Sequence, residues 1–155
     1  MRGGSSCAIE SSVRKLTEKR MKDPTTYVLK LADGRNEPIK DLDGASRTIL
    51  VDEETVSANE ITFGHSRFAP RTSVHKKHIH RNAEEIMYIL SGRGVAGVNN
   101  QETVVTSGDT IWVPKGAVHW FSNPFEEPCE FVFLYTRSSL QKAAYEIVEG
   151  APRDE

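Results

Sequence analysis

Two histidines and a nearby glutamate have the residue types and spacing of a metal site. His78 and His80 are one residue apart in a run of β-type residues, and Glu85 opens the next such run. Side chains two positions apart on a strand point to the same face, so both imidazoles can share one ion. If the two runs pair as a hairpin, the Glu85 carboxylate reaches the same point from the neighbouring strand. The pattern predicts three metal ligands from one hairpin.

A third histidine, His119, follows a turn formed by Pro114, Lys115, Gly116 and Ala117. It lies too far along the chain for local geometry to bring it to the pair. Only the complete fold can deliver it to the same ion.

The elements around these residues are short and β-like. Alternating apolar residues and turn-forming Gly, Asn, Asp and Pro residues predict an antiparallel sandwich or barrel. The predicted strands cover residues 26–31, 47–51, 59–68, 74–80, 85–90, 94–98, 102–106, 110–113, 119–121 and 130–135. A short helix is predicted over 11–21, with Ser11 or Ser12 as N-cap, and a closing helix over 138–148, with Ser138 and Gln141 as a capping box.

Composition excludes several classes of partner. The 155 residues suffice for one domain, 37% are hydrophobic, and the net charge of −2 gives no reason to expect nucleic acid or an acidic membrane as partner. No stretch is apolar enough for a signal peptide or a membrane span. Cys7 and Cys129 are expected to be unpaired thiols in a reducing compartment. We expect a cytoplasmic protein with a small-molecule partner.

Two spaced motifs resemble the signatures of the cupin superfamily. The first is His78-x-His80, four residues, Glu85, six residues and Gly92; the second runs from Gly108 through Pro114-x-Gly116 to His119 and Asn123. The resemblance implies an all-β fold, a double-stranded β-helix or jelly-roll barrel over 25–137. Residues 1–24 would form an N-terminal extension with a short helix, and 138–155 a C-terminal helix and tail. Thr72 departs from the family, which often has glycine there, so the loop before His78 is expected to differ.

The same resemblance implies that His78, His80, Glu85 and His119 bind one divalent transition metal. Fe, Mn, Ni, Cu, Co and Zn all suit such ligands, and ligand type does not choose among them. Glu84 is the alternative acid, but only Glu85 has the six-residue spacing to Gly92. Gly92, Gly108 and Gly116 are interpreted as turn residues, and Asn123 as a residue that satisfies backbone groups.

Strand parity indicates which side chains share the barrel interior with the ligands. Met87 and Phe121 are expected inside, whereas Tyr88 and Trp120 face the other way. Three pairs of alternatives stay open. The aromatic face of the last strand either lines the pocket or packs as core, and His65 and Arg67 either hold a substrate carboxylate inside the barrel or lie on the surface. The basic residues near Lys76 either attract an anion or form a solvated rim. The substrate-binding candidates are His65, Arg67, Lys76, Met87, Phe121 and Tyr135.

The resemblance favours a metal-dependent enzyme, because a complete ligand set leaves positions open for a substrate. An oxygen-dependent dioxygenase, an oxidoreductase, is the preferred reaction. A lyase or isomerase of a small carboxylate is the alternative, although the cupin lyases of dimethylsulfoniopropionate have a tyrosine where this chain has Met87. A non-enzymatic small-molecule sensor is the third hypothesis. Cupins pair edge strands or sheets, so we expect a homodimer.

Overall fold

The computed structural model describes residues 27–148, in which eleven strands and two short helices form a jelly roll. This confirms the predicted all-β class. In chain order the elements are β1 (Arg35–Pro38), β2 (Ala45–Val51), α1 (Glu53–Val56), β3 (Thr62–Phe68), β4 (His78–His80), β5 (Glu85–Ser91), β6 (Arg93–Val98), β7 (Gln101–Thr106), β8 (Thr110–Val113), β9 (His119–Ser122), β10 (Cys129–Tyr135), α2 (Leu140–Ala143) and β11 (Tyr145–Ile147). No helix within 27–148 is long and apolar enough to cross a membrane.

Two antiparallel sheets face each other across the core. The six-stranded sheet has the order β1-β2-β3-β10-β5-β8, and the five-stranded sheet has the order β11-β4-β9-β6-β7. Burial alternates along β10, whose odd-numbered residues are all buried, as expected for a strand with one face on the core. The two sheets together place every predicted ligand on an inward face.

Aromatic rings fill the space between the sheets beside the ligands. The Phe68 and Phe121 rings meet edge to face with centroids 5.0 Å apart, and Phe131 lies 4.8 Å from Phe121. Gly97 permits close packing on the outer side of the five-stranded sheet, because a Cβ there would lie 1.9 Å from a Trp120 ring atom. Aromatic packing thus fixes the distance between the sheets on which the site depends.

The beginning of the described chain departs from the predicted strands. Residues 27–30 have no regular structure and Leu31–Asp33 form a single 3-10 turn, so the predicted strand over 26–31 is wrong. β1 and α1 were not predicted. Helix α1 begins because the Asp52 carboxylate accepts hydrogen bonds from the backbone N–H groups of Glu54 and Thr55, at 2.9 and 2.7 Å. The predicted helix over 11–21, with Cys7 before it, lies outside the described residues.

The closing helix is shorter than predicted, and a strand follows it. Ser139, not Ser138, is the N-cap of α2, and its side chain accepts from the Lys142 N–H. Ala144, in the left-handed conformation with φ 57°, ends the helix. The chain then pairs with the free edge of β4, with Tyr145 opposite His80 and Ile147 opposite His78. Edge pairing has overridden the helical tendency of these residues.

Candidate metal centre

Three of the four predicted ligands come from two neighbouring strands of the five-stranded sheet. His78 on β4 is directly opposite His119 on β9, and their ring centroids are 4.1 Å apart. His80, two residues along β4, lies on the same face with its ring 5.1 Å from that of His119. This register is what brings the distant His119 to the pair.

Glu85 reaches the histidines from the opposite sheet. One Glu85 oxygen, Oε2, lies 2.9 Å from His119 Nε2 and 3.4 Å from His80 Nε2. The predicted hairpin is therefore wrong, because β4 and β5 do not pair and belong to different sheets. The link between them is held at the end of α2, where the carbonyls of Ala143 and of the C-cap residue Ala144 accept from the N–H groups of Asn82 and Arg81, both at 3.1 Å.

Backbone carbonyls orient two of the imidazoles. His78 donates from Nδ1 to the Lys76 carbonyl at 2.7 Å, and His119 donates from Nδ1 to the Ala117 carbonyl at 3.0 Å. In each case the acceptor lies two residues earlier, and Nε2 is left facing the cluster. Such bonds are typical of metal-binding histidines, since they fix the ring and its tautomer.

The arrangement fits a divalent metal. One ligand atom from each of His78, His80, Glu85 and His119 lies within 4.8 Å of the others, and all four residues are buried. Both ring nitrogens of His80 are buried and have no hydrogen-bond partner within the described residues. An unpartnered buried nitrogen is costly, and a bound cation would remove that cost. The cluster is a candidate site for one divalent metal.

The pKa values of the buried groups favour the binding of a cation. Burial lowers the pKa of His78 to about 2 and that of neighbouring His75 to about 4, so both rings are neutral at pH 7. Burial is the largest single influence on Glu85 and His119 and opposes charge on both. The hydrogen bonds and Coulombic attractions within the cluster together outweigh it, so that they lower the pKa of the Glu85 carboxyl and raise the pKa of His119. The ionised carboxylate and the neutral His78 ring are in the forms that bind metals, whereas any proton on His119 Nε2 would be released on binding.

The structure separates the two acids that the sequence left as alternatives. Glu85 is 5% exposed and belongs to the cluster. Glu84 faces the outer side of the sheet, where its Oε1 accepts from the Trp112 indole N–H at 3.1 Å. The preference for Glu85 from its spacing to Gly92 agrees with this placement.

A cavity opens beside the ligands. An inner chamber of about 40 Å³ is lined by His78, Glu85 and His119 together with Met87, Phe121, Phe131, Phe133 and Tyr135. The inward positions expected for Met87 and Phe121 therefore hold. The aromatic face of β10 also lines the chamber while forming core, with the Tyr135 ring 4.6 Å from that of His80. A volume of this size holds a few water molecules or one small functional group.

Three other substrate-binding candidates lie elsewhere. His65 and Arg67 are on the outer face of β3, where His65 Nε2 contacts Glu130 Oε2 at 2.9 Å. The interior alternative for this pair is wrong, because Ser66 and Phe68 carry the inward parity of β3. Lys76 lies on a loop before β4, since residues 74–77 are not strand, and its Nζ is 3.4 Å from Asp41 Oδ2.

Arg47 and Tyr145 near the site were missed from the sequence, and His75 was considered only as one of the basic residues near Lys76. His75 has its ring 4.6 Å from that of His78, Arg47 lines the same chamber from β2, and Tyr145 on β11 has its ring 4.7 Å from His78. Alternation along 45–51 signals that Arg47 shares a face with Ile49. No local pattern signals His75, because an irregular loop positions it through the 2.8 Å bond from its N–H to the Phe121 carbonyl.

A second and wider cavity, the outer basin, adjoins the inner chamber. It has a volume of about 460 Å³ and shares Ile39, Arg47 and His75 with the chamber. Its remaining walls come from the 40–41 loop, Lys76, α2 and β11, so the missed C-terminal strand forms part of the opening.

Known proteins share both the sequence and the fold of this region. The cupin domain model matches residues 64–135. TcmJ, a tetracenomycin polyketide synthase protein of Streptomyces glaucescens, is 29% identical over 90 residues, 58% of this chain and 60% of TcmJ. An uncharacterised protein of Methanocaldococcus jannaschii is 42% identical over 53 residues, 34% of this chain. The matched segments span only 60% and 40% of these curated relatives.

Solved structures extend the likeness to most of the barrel. The polyketide cyclase RemF from Streptomyces resistomycificus superposes with a TM-score of 0.67 at 17% identity, over 82% of this chain and 88% of RemF. At such identity the likeness establishes the fold alone. The domain model, the two motifs and the jelly-roll topology agree with this fold, and they identify residues 64–135 as a cupin domain.

Proposed function

We propose that this protein is a metal-dependent enzyme acting on a small organic molecule whose oxygen atoms bind at the candidate metal centre. The observation that carries the proposal is the buried cluster of His78, His80, Glu85 and His119, with unpartnered nitrogens on His80, beside a chamber. Burial of four metal-ligating groups has a large energetic cost that ordinary core packing does not explain.

A bound divalent metal would supply Lewis-acid polarisation of a substrate oxygen and, with a redox-active ion, a site for dioxygen. The chain's residues provide the surroundings for that chemistry. Met87, Phe121 and Phe133 give the chamber an apolar wall that limits water. Tyr135 is opposite Glu85 in the β10–β5 register and places a neutral phenol beside the cluster, because burial and the nearby carboxylate raise its pKa well above the usual value.

Our preferred reaction is an oxygen-dependent dioxygenation of a chelating substrate. Three imidazoles and one carboxylate suit iron and manganese among other ions, and the apolar chamber suits dioxygen. The second candidate is a non-oxidative lyase, isomerase or cyclase reaction. It is favoured by His75, which lines both cavities and whose neutral ring has an unprotonated nitrogen that can accept a hydrogen bond from a substrate. The name of RemF as a polyketide cyclase is compatible with this candidate.

Turnover under two atmospheres tests the proposal. Protein reconstituted separately with Fe, Mn, Ni or Zn is incubated with small carboxylates, phenols and keto acids, with and without oxygen, and products are measured by mass spectrometry. We expect turnover that His119→Ala abolishes and His65→Ala retains. Turnover only in air supports the dioxygenase, and turnover in both atmospheres supports the non-oxidative candidate. Reversible ligand binding without any product would support a sensor and overturn the enzyme proposal.

A further inference from the structure

Arg47 occupies a row of side chains that runs across the six-stranded sheet toward the site. It is opposite Glu37 on β1 and opposite Ser66 on β3, and Ser66 is opposite Phe131 on β10. Ser66 and Phe131 line the inner chamber, and Arg47 lines it with them. Its side chain is 23% exposed, so the guanidinium is partly withdrawn from water inside the fold.

A single contact fixes the Arg47 side chain within the described residues. Its Nε donates to Glu37 Oε2 at 3.1 Å, while the other oxygen of Glu37 accepts from Arg35 Nε at 2.9 Å. No other hydrogen bond of the Arg47 side chain is formed inside residues 27–148. A guanidinium has five N–H donors, so most of the hydrogen-bonding capacity of Arg47, a residue that lines both cavities, is unused within residues 27–148.

Arg47 is at the junction of the two cavities. Ile39, Arg47 and His75 line both the inner chamber and the outer basin. The chamber is too small for more than one functional group, whereas the basin, at about 460 Å³, has the size of an ordinary ligand pocket. A ligand that reaches the metal ligands with one end must therefore place its larger part in the basin, alongside Arg47.

The walls of the basin indicate what that larger part is. Apolar and aromatic side chains of Ile39, Leu140, Tyr145 and Ile147 form one part of the lining. The charged members are Lys40, Arg47 and Lys76 against the single carboxylate of Asp41. This excess of positive charge favours an anionic ligand, and the apolar walls favour a carbon skeleton of ring size.

We propose that Arg47 is a substrate-binding residue that pairs with a carboxylate on a substrate whose apolar body fills the outer basin. The planar guanidinium matches a carboxylate better than a point charge does, because two parallel N–H···O bonds can form. The assignment of this ligand as substrate rests on the proposed function, but its binding does not. The sequence suggested Arg67 on β3 as the residue that holds a substrate carboxylate; this proposal gives that role to Arg47 on the neighbouring strand β2.

Calorimetric titration of the metal-free full chain tests this assignment with three probes. The probes are 1-naphthoate, its neutral counterpart 1-naphthamide, and acetate, which lacks the apolar body. We expect 1-naphthoate to bind the wild type more tightly than either of the other two. Arg47→Met should weaken 1-naphthoate binding by about tenfold or more and change 1-naphthamide binding less than about twofold. The control Arg67→Met, on the outer face of β3, should change neither.

Three results would overturn the proposal. They are an equal loss of affinity for the charged and neutral probes in Arg47→Met, an equal loss of 1-naphthoate affinity in Arg67→Met, and no measurable binding of 1-naphthoate to the wild type. Arg47→Lys keeps the charge and is the second variant should Arg47→Met melt early by circular dichroism. It should weaken 1-naphthoate binding less than Arg47→Met does, and wild-type affinity in Arg47→Lys would also count against a paired carboxylate contact. If 1-naphthoate binding depends on Arg47 but no substrate is turned over, only the proposed enzymatic function is overturned. If substrate is turned over but 1-naphthoate binding does not depend on Arg47, only the assignment of Arg47 is overturned.

Discussion

Glu85 Oε2 and His119 Nε2 lie 2.9 Å apart although their strands belong to opposite sheets. The contact joins the two halves of the jelly roll at the ligand cluster. A cation bound there would link both sheets, because Glu85 comes from one and the three histidines come from the other. Metal binding would therefore be coupled to the packing of the two sheets.

We expect Glu85→Gln to lower the metal content by roughly tenfold or more, whereas Glu84→Gln leaves it unchanged. The reason is that Glu85 is buried in the cluster, while Glu84 contacts Trp112 on the outer face. Elemental analysis of the purified variants measures this directly. The adjacent acids form a matched pair, and the reverse pattern would show that the ligand assignment is wrong.

The metal-free protein should lose stability as pH falls from 6.5 toward 4. Burial lowers the pKa of His75 from 6.5 to about 4 and that of His78 from 6.5 to about 2. As pH falls below 6.5, these histidines therefore become protonated in the unfolded chain before they do in the folded chain. Each histidine should remove about 2 kcal/mol between pH 6.5 and 5. Urea unfolding at several pH values in the presence of a chelator measures the loss.

His119 and Glu85 contribute little to that slope. His119 has a raised pKa, so its contribution to stability is complete below 6.5 and is lost only at higher pH. Glu85 has a lowered pKa, so its contribution persists above 4.5 and is lost at lower pH. His75→Asn should make the slope between pH 6.5 and 5 shallower by about one proton. An unchanged slope in that variant would refute the assignment to His75.

Asn123→Ala should destabilise the fold by about 3 kcal/mol. The Asn123 side chain is fully buried, and its Nδ2 lies 3.2, 3.0 and 2.8 Å from the carbonyl oxygens of Phe68, Ala69 and Glu127. Alanine would leave buried carbonyls unsatisfied. Urea unfolding of Asn100→Ala, in the exposed turn between β6 and β7, is the control and should stay within about 0.5 kcal/mol of wild type. Equal effects of both substitutions would contradict the structural role of Asn123.

We expect a homodimer formed through the outer face of the six-stranded sheet. Ile86, Tyr88 and Leu90 on β5 and Trp112 on β8 are between 42% and 59% exposed there. Exposed apolar patches of this kind commonly mark interfaces. Light scattering should give about twice the chain mass of 17.3 kDa, and Tyr88→Glu should shift it toward the monomer. Val104→Glu, on the edge strand β7, should leave the dimer intact; a monomeric wild type would exclude the interface.

The ligand residues could be predicted because their information is local and repeated. Period-two spacing places His78 and His80 on one face, and the two motifs fix Glu85 over Glu84. Turn residues such as Gly92, with φ 75° and a carbonyl 2.0 Å from where its Cβ would lie, mark the strand boundaries in the sequence. Those boundaries predicted an antiparallel sandwich or barrel, and the resemblance to the cupin superfamily specified the jelly roll.

The errors arose where tertiary contacts decide the local structure. β4 and β5 looked like a hairpin, but hydrogen bonds to the end of α2 send the chain between them to the other sheet. Tyr145 looked helical, but the unpaired edge of β4 made it a strand. Arg47 and His75 reach the cavities only through the packing of the complete barrel, which no spacing rule describes.

The pairing of β11 with β4 divides the protein into parts that can change independently. β11 is hydrogen-bonded to β4 along one edge only, yet it supplies Tyr145 and Ile147 to the opening of the outer basin. Side-chain substitutions at these two positions can alter which molecules enter while the four candidate ligands stay unchanged. A library confined to Tyr145 and Ile147 would thus vary the opening of the basin above a constant set of candidate metal ligands.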